Sequence, residues 1–158
     1  MHPDLESLFY KAEENYLQAV EMKLFKHHIN SLAQRLQTYE VLRDQEIDIF
    51  QPVADRLVEA FAQESTPLLE QALKQWIAIL RYASMAMLLN NPEFLQRRLL
   101  EWLTELVEVQ QRQSIEAKIA QLLQDRLREV LTEEQRNLIA PFIDQARHTL
   151  LGATALYA

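Results

Sequence analysis

A chain of 158 residues with a single glycine, Gly152, has few folds open to it. Average usage would supply roughly 11 glycines in this length. Tight hairpins and phosphate-cradling loops need positive backbone φ, and glycine is the residue that takes it up without steric cost. Sheets joined by such hairpins and glycine-rich nucleotide loops are thereby excluded, and an all-helical protein remains. The chain also has no cysteine. That removes disulfides, thiolate metal sites, cysteine nucleophiles and thioether attachment of any cofactor together.

Sixteen basic residues stand against 23 acidic ones, a net charge of −7, which is the wrong sign for a sequence-independent grip on a phosphate backbone. Nucleic acid is therefore not expected as a partner. The start, Met1-His2-Pro3-Asp4-Leu5-Glu6, has neither the basic flank nor the apolar core of a secretory signal, so a cytoplasmic location is expected. The most apolar window, Trp76 to Leu89, is interrupted by Arg81 and falls short of the ~20 residues that span a bilayer. It reads as a buried central helix.

Helix punctuation divides the chain into seven segments. Pro3 to Glu14 places Leu5, Leu8, Phe9 and Ala12 on one face. Val20 to Leu42 carries Leu24, Phe25, His28, Ile29, Leu32, Leu36 and Tyr39 at three- and four-residue spacings. Asp44 to Ala62 follows, and Pro52 should bend it. Thr66-Pro67 starts the central helix, and Asn91-Pro92 starts a segment with Phe94, Leu95, Leu99, Trp102, Leu103, Leu106 and Val109. Ser114 is read as the cap of the sixth segment. Thr132-Glu133-Glu134-Gln135 is a capping box that opens the last, which Pro141 should interrupt and Gly152 should terminate, with residues 153–158 a frayed tail. Short connections and the lack of any linker make residues 1–152 one domain, a compact bundle or globin-like packing.

The polar residues offer no catalytic constellation. His27 and His28 project about 100° apart on a helix and cannot jointly chelate a metal without outside ligands. The absence of any Glu-x-x-His pair argues against a di-iron carboxylate bundle, and Asp144/His148 at i, i+4 fits a surface pair. Ser84 sits in the apolar central helix, where its hydroxyl is expected to bond back to a carbonyl. Neither a metal site nor a catalytic residue is expected. Arg81 stands out, because a guanidinium in an apolar helix needs a carboxylate, carbonyls or a bound anion.

The order Tyr16-Leu17, Glu21, Phe25, Arg35-Leu36, Glu40-Val41-Leu42, Ile49, Ala54, Leu57, Phe61 and then Trp76-Ile77-Ala78-Ile79-Leu80-Arg81-Tyr82 resembles the phycobilisome protein family. These are the globin-like subunits of cyanobacterial light-harvesting antennae. The resemblance runs from about Tyr16 to Leu150. It implies an all-α, globin-like domain with an N-terminal helical extension. In pigmented members a cysteine, an arginine and an aspartate on the central helix attach and hold a linear tetrapyrrole, the bilin. The matching positions here are Ala72, Lys74 and Gln75. The nucleophile is absent and no covalent bilin can form, although Lys74 could still meet a propionate as a point charge.

The resemblance then implies a non-pigmented interaction protein acting in assembly, turnover or regulation of the antenna or photosynthetic machinery, peripheral to the thylakoid. Its expected partner is a second copy or a related subunit, in a homodimer or heterodimer. Leu5, Leu8, Phe9, Tyr16 and Leu17 are the candidate interface. An alternative is a carrier or sensor that binds a bilin or another apolar ligand non-covalently in a cleft beside Lys74, Trp76 and Arg81. A haem globin is the weakest form of that idea, since no histidine lies between residues 29 and 147. An enzyme such as a bilin lyase has no nucleophile or acid-base constellation to recommend it.

Overall fold

The computed structural model describes residues 3–106 and 113–156. Seven helices occupy them: α1 Pro3–Glu14, α2 Ala19–Asp44, α3 Glu46–Ala60, α4 Thr66–Leu89, α5 Pro92–Leu106, α6 Gln113–Val130 and α7 Glu133–Leu156. No strand occurs among the described residues. The expected all-α, globin-like domain with an N-terminal helical extension is what the chain forms.

α4 is the axis of the domain. Leu69, Ala72, Trp76, Ile79, Leu80, Ala83 and Met87 recur every three or four residues and are all buried, so its apolar stripe meets neighbours along its whole length. α2, α3, α5, α6 and α7 pack around it, with α3 against α6 and α7 against α5 and α6. The core admits α2 only at its C-terminal end, through Thr38, Tyr39, Val41 and Leu42. Of the stripe read into the fifth segment, Leu95 and Leu99 are buried and Phe94 packs on the core. The side chains of Trp102, Leu103, Leu106 and Val109 lie outside the described ones.

Local chemistry sets the helix ends. Asn91 Oδ1 accepts the Phe94 N–H at 3.1 Å and caps α5, with Pro92 as its first residue. Thr132 and Gln135 form the reciprocal box at α7, at 3.0 and 3.2 Å. α4 ends on Asn90 in the left-handed region, φ 49°, and the Asn91 N–H returns to the Ala86 carbonyl at 2.8 Å. The guanidinium of Arg35, on α2, then donates to the Leu88 carbonyl at 2.5 Å. A cation thus sits at the negative end of the α4 dipole.

Four sequence expectations are corrected. Gly152 does not terminate the last helix: α7 runs through it to Leu156, and no glycine takes positive φ. One glycine in a helix interior costs about 1 kcal/mol, less than the packing of Ala146 and Leu150 on the same helix returns. The tail is therefore helical as far as residue 156. Pro141 does not interrupt α7 either. It lies on the exposed face, four residues after exposed Asn137, whose carbonyl can turn to water. Ser114 lies one residue inside α6 rather than capping it.

Pro52 leaves α3 continuous, and the bond it withholds is replaced from outside the helix. The carbonyl four residues back, on Asp48, accepts two N–H groups from Arg126 of α6 at 3.1 and 3.0 Å.

Candidate interaction surface and pigment region

α1 folds back on α2 to make a hairpin. Leu8 is the one described α1 residue buried there, while Leu5 and Leu17 are half-buried and Phe9 and Tyr16 are exposed. The hairpin is pinned at its closed end by Gln18, whose N–H donates to Glu21 Oε2 at 2.9 Å, and by Lys11, 3.4 Å from the same carboxylate. The Gln18 N–H and the Lys11 ammonium hold the Glu21 carboxyl below its usual range against an opposing desolvation. At the open end Asp4 stands 3.6 Å from His28.

The outer face of α2 is where apolar area is left uncovered. Met22, Phe25, Ile29, Leu32 and Leu36 follow one another at spacings of three, four, three and four, and each is 36–49% exposed. This is the a/d pattern of a helix that packs along another helix. Phe9, Tyr10, Tyr16 and Val20 extend the apolar exposure onto the hairpin's tip. Sequence reading placed the interface on α1 and the following turn. The three- and four-residue spacing read into α2 marks the same face, and continuing it back to Met22 is the signal that was available.

Lys74, Trp76 and Arg81 are not brought together. Lys74 and Arg81 are two turns apart on one exposed face of α4, whereas Trp76 points the other way and is fully buried. Its indole N–H donates to the carboxylate of Glu116 on α6, itself only 7% exposed. Arg81 grips Glu46, at the first turn of α3, through both carboxylate oxygens, at 2.8 Å from Nε and 2.5 Å from Nη2. The pairing pushes its guanidinium further toward the charged form. Around this fork lies a groove of about 350 Å³ lined by Tyr39, Leu42, Arg43, Leu80 and Ser84 as well. Ala72, which the resemblance sets at the bilin-attachment position, is fully buried in the core.

The remaining polar candidates are structural. Ser84 donates to the Leu80 carbonyl at 2.7 Å. His148 Nδ1 meets the backbone carbonyl of Asp144, not its carboxylate. His27 and His28 stack edge to face with centroids 6.1 Å apart. Among the described residues no group of three or more histidines and carboxylates is placed to hold a metal ion, and no helix is long and apolar enough to cross a membrane.

A family model described as "Phycobilisome protein" matches residues 9–150. The chain belongs to the phycobilisome protein family. No match was found among curated proteins. Membership ties the chain to the phycobilisome, and the family is a structural light-harvesting one, not a family of enzymes. Its pigmented members carry bilin chromophores, for which this chain has no attachment cysteine.

Proposed function

We propose that this chain is a non-pigmented phycobilisome-family interaction protein that serves assembly, turnover or regulation of the antenna, docking through the α1–α2 hairpin onto a phycobiliprotein-like subunit or a second copy of itself. The observation that carries this reading is the exposed Met22-Phe25-Ile29-Leu32-Leu36 stripe. Large apolar side chains in a continuous row on one helix mark a contact surface when nothing within the chain covers them. The chain has kept the family's architecture and lacks the residue that makes the architecture photochemical, which leaves the protein contacts as its purpose. Such a role implies a cytoplasmic location beside the thylakoid-bound antenna.

Size-exclusion chromatography with light scattering, on the chain alone and mixed with phycobiliprotein subunits, tests it. A dimer or a mixed complex is expected, and Ile29→Glu with Leu32→Glu should dissociate it at unchanged helicity. A monomer that ignores every such subunit would overturn the proposal.

Non-covalent bilin binding at Lys74, Trp76 and Arg81 has no comparable support, since Trp76 is spent on Glu116 and Arg81 on Glu46. A phycocyanobilin titration followed by absorption reads this directly. A saturable red-shifted band lost in Lys74→Ala and Arg81→Ala would favour the carrier reading.

A further inference from the structure

We propose that the groove between α6 and α7 is a binding site for a small apolar monocarboxylate, with Arg136 as the residue that holds its head. The groove has a volume of about 570 Å³, within the usual ~300–1,000 Å³ of small-molecule sites. Leu127, Ile139 and Ile143 form its apolar floor, and Arg128, Arg136 and Arg147 stand along it.

The three guanidiniums are not equivalent. Arg128 is paired with Asp125 at 2.9 Å, and Arg147 with Asp144 at 3.4 Å. Asp144 also accepts from Gln124 at 3.2 Å, which ties the two walls together. Arg136 forms no ion pair among the described residues, and its Nε is buried without a hydrogen-bond partner. A buried N–H left unpaired is costly, and Nε belongs to the planar fork that grips a carboxylate with two parallel bonds. Arg136 lines the groove on the α7 side.

Charge narrows the ligand class. With Arg128 on Asp125 and Arg147 on Asp144, Arg136 is the one guanidinium lining the groove that has no ion pair among the described residues, and Glu133 lines the same groove. A single negative charge is matched by Arg136, whereas the second charge of a phosphate dianion would find no further unpaired guanidinium in the groove and would stand beside Glu133. The apolar floor calls for a hydrophobic body behind that single charge. None of these residues belongs to the α1–α2 hairpin, so this site stands or falls independently of the docking proposal.

Calorimetric titration of the full chain with 2-naphthoate, and with 2-naphthalenemethanol as its neutral counterpart, tests the site. Saturable binding of the naphthoate is expected, at least tenfold tighter than that of the alcohol, with amide shifts confined to residues 124–147. Arg136→Met should weaken naphthoate at least tenfold while raising the melting temperature of the free protein, because an orphaned buried donor is removed. Arg136→Lys should recover only part of the affinity, since the charge returns without the fork. Equal affinity for the two compounds, full binding in Arg136→Met, shifts elsewhere in the chain, or no saturable binding would each overturn the proposal.

Discussion

Trp76 and Glu116, forty residues apart, meet in the middle of the core, where the indole N–H of α4 donates to a carboxylate of α6. The bond fixes the rotation of α6 against the central helix, because a buried donor and a buried acceptor each need the other. Glu116→Leu strands the indole N–H and should cost about 1–3 kcal/mol in urea unfolding. Glu116→Gln keeps an acceptor in reach and should cost clearly less. Equal losses for the two variants would show that the carboxylate's packing matters and its hydrogen bond does not.

Arg126 stands in for the N–H that Pro52 lacks, so the two residues should be energetically coupled. Arg126→Ala should lose about 1.5 kcal/mol, the low end for hydrogen bonds that involve a charged group, because its side chain is partly exposed. Pro52→Ala gives the Asp48 carbonyl an in-helix partner, and in that background the same Arg126 change should cost less. A double-mutant cycle with no coupling would count against this account.

Docking predicts a separation between association and folding. Ile29→Glu and Leu32→Glu replace residues nearly half exposed, so monomer stability should stay within about 0.5 kcal/mol of the parent. Association should fall by more than tenfold, read by sedimentation velocity. Loss of the fold in these variants would mean that the stripe is a covered face.

The hairpin should loosen in acid. Glu21 has a depressed carboxyl pKa in the folded chain, so its contribution is present above the unfolded value near 4.5 and is lost as pH falls through the lower folded value. Hydrogen exchange at α1 amides should therefore lose protection below about pH 4.5, before the α4 amides do. Glu21→Gln should remove that step and leave α1 weakly protected at every pH. An α1 that keeps full protection in the variant would show that Leu8 alone holds it.

What was legible in the sequence was what neighbouring residues decide. The caps at Asn91 and Thr132, the central apolar helix from Thr66 to Leu89 and the back-bond of Ser84 all involve partners within four positions, and all are present. Arg81 was legible as a residue in need of a partner, but Glu46 lies 35 positions away, beyond the corner at Gln45. Trp76 was legible as core, but its acceptor was not. The α2 stripe shows a different limit. Periodicity says which residues share a face, whereas exposure depends on whether another element comes to lie there.

α2 is 26 residues long, about 39 Å of unbroken helix. Its outer turns stand beyond the core, while Thr38 and Leu42 are embedded in it and Arg35 is fastened to the last carbonyls of α4. Such a member behaves as a cantilever clamped at one end. A load applied by a neighbour at Met22 or Phe25 is delivered as a bending moment at the clamp, where its first effect is on the hold that Arg35 keeps at the end of the central helix.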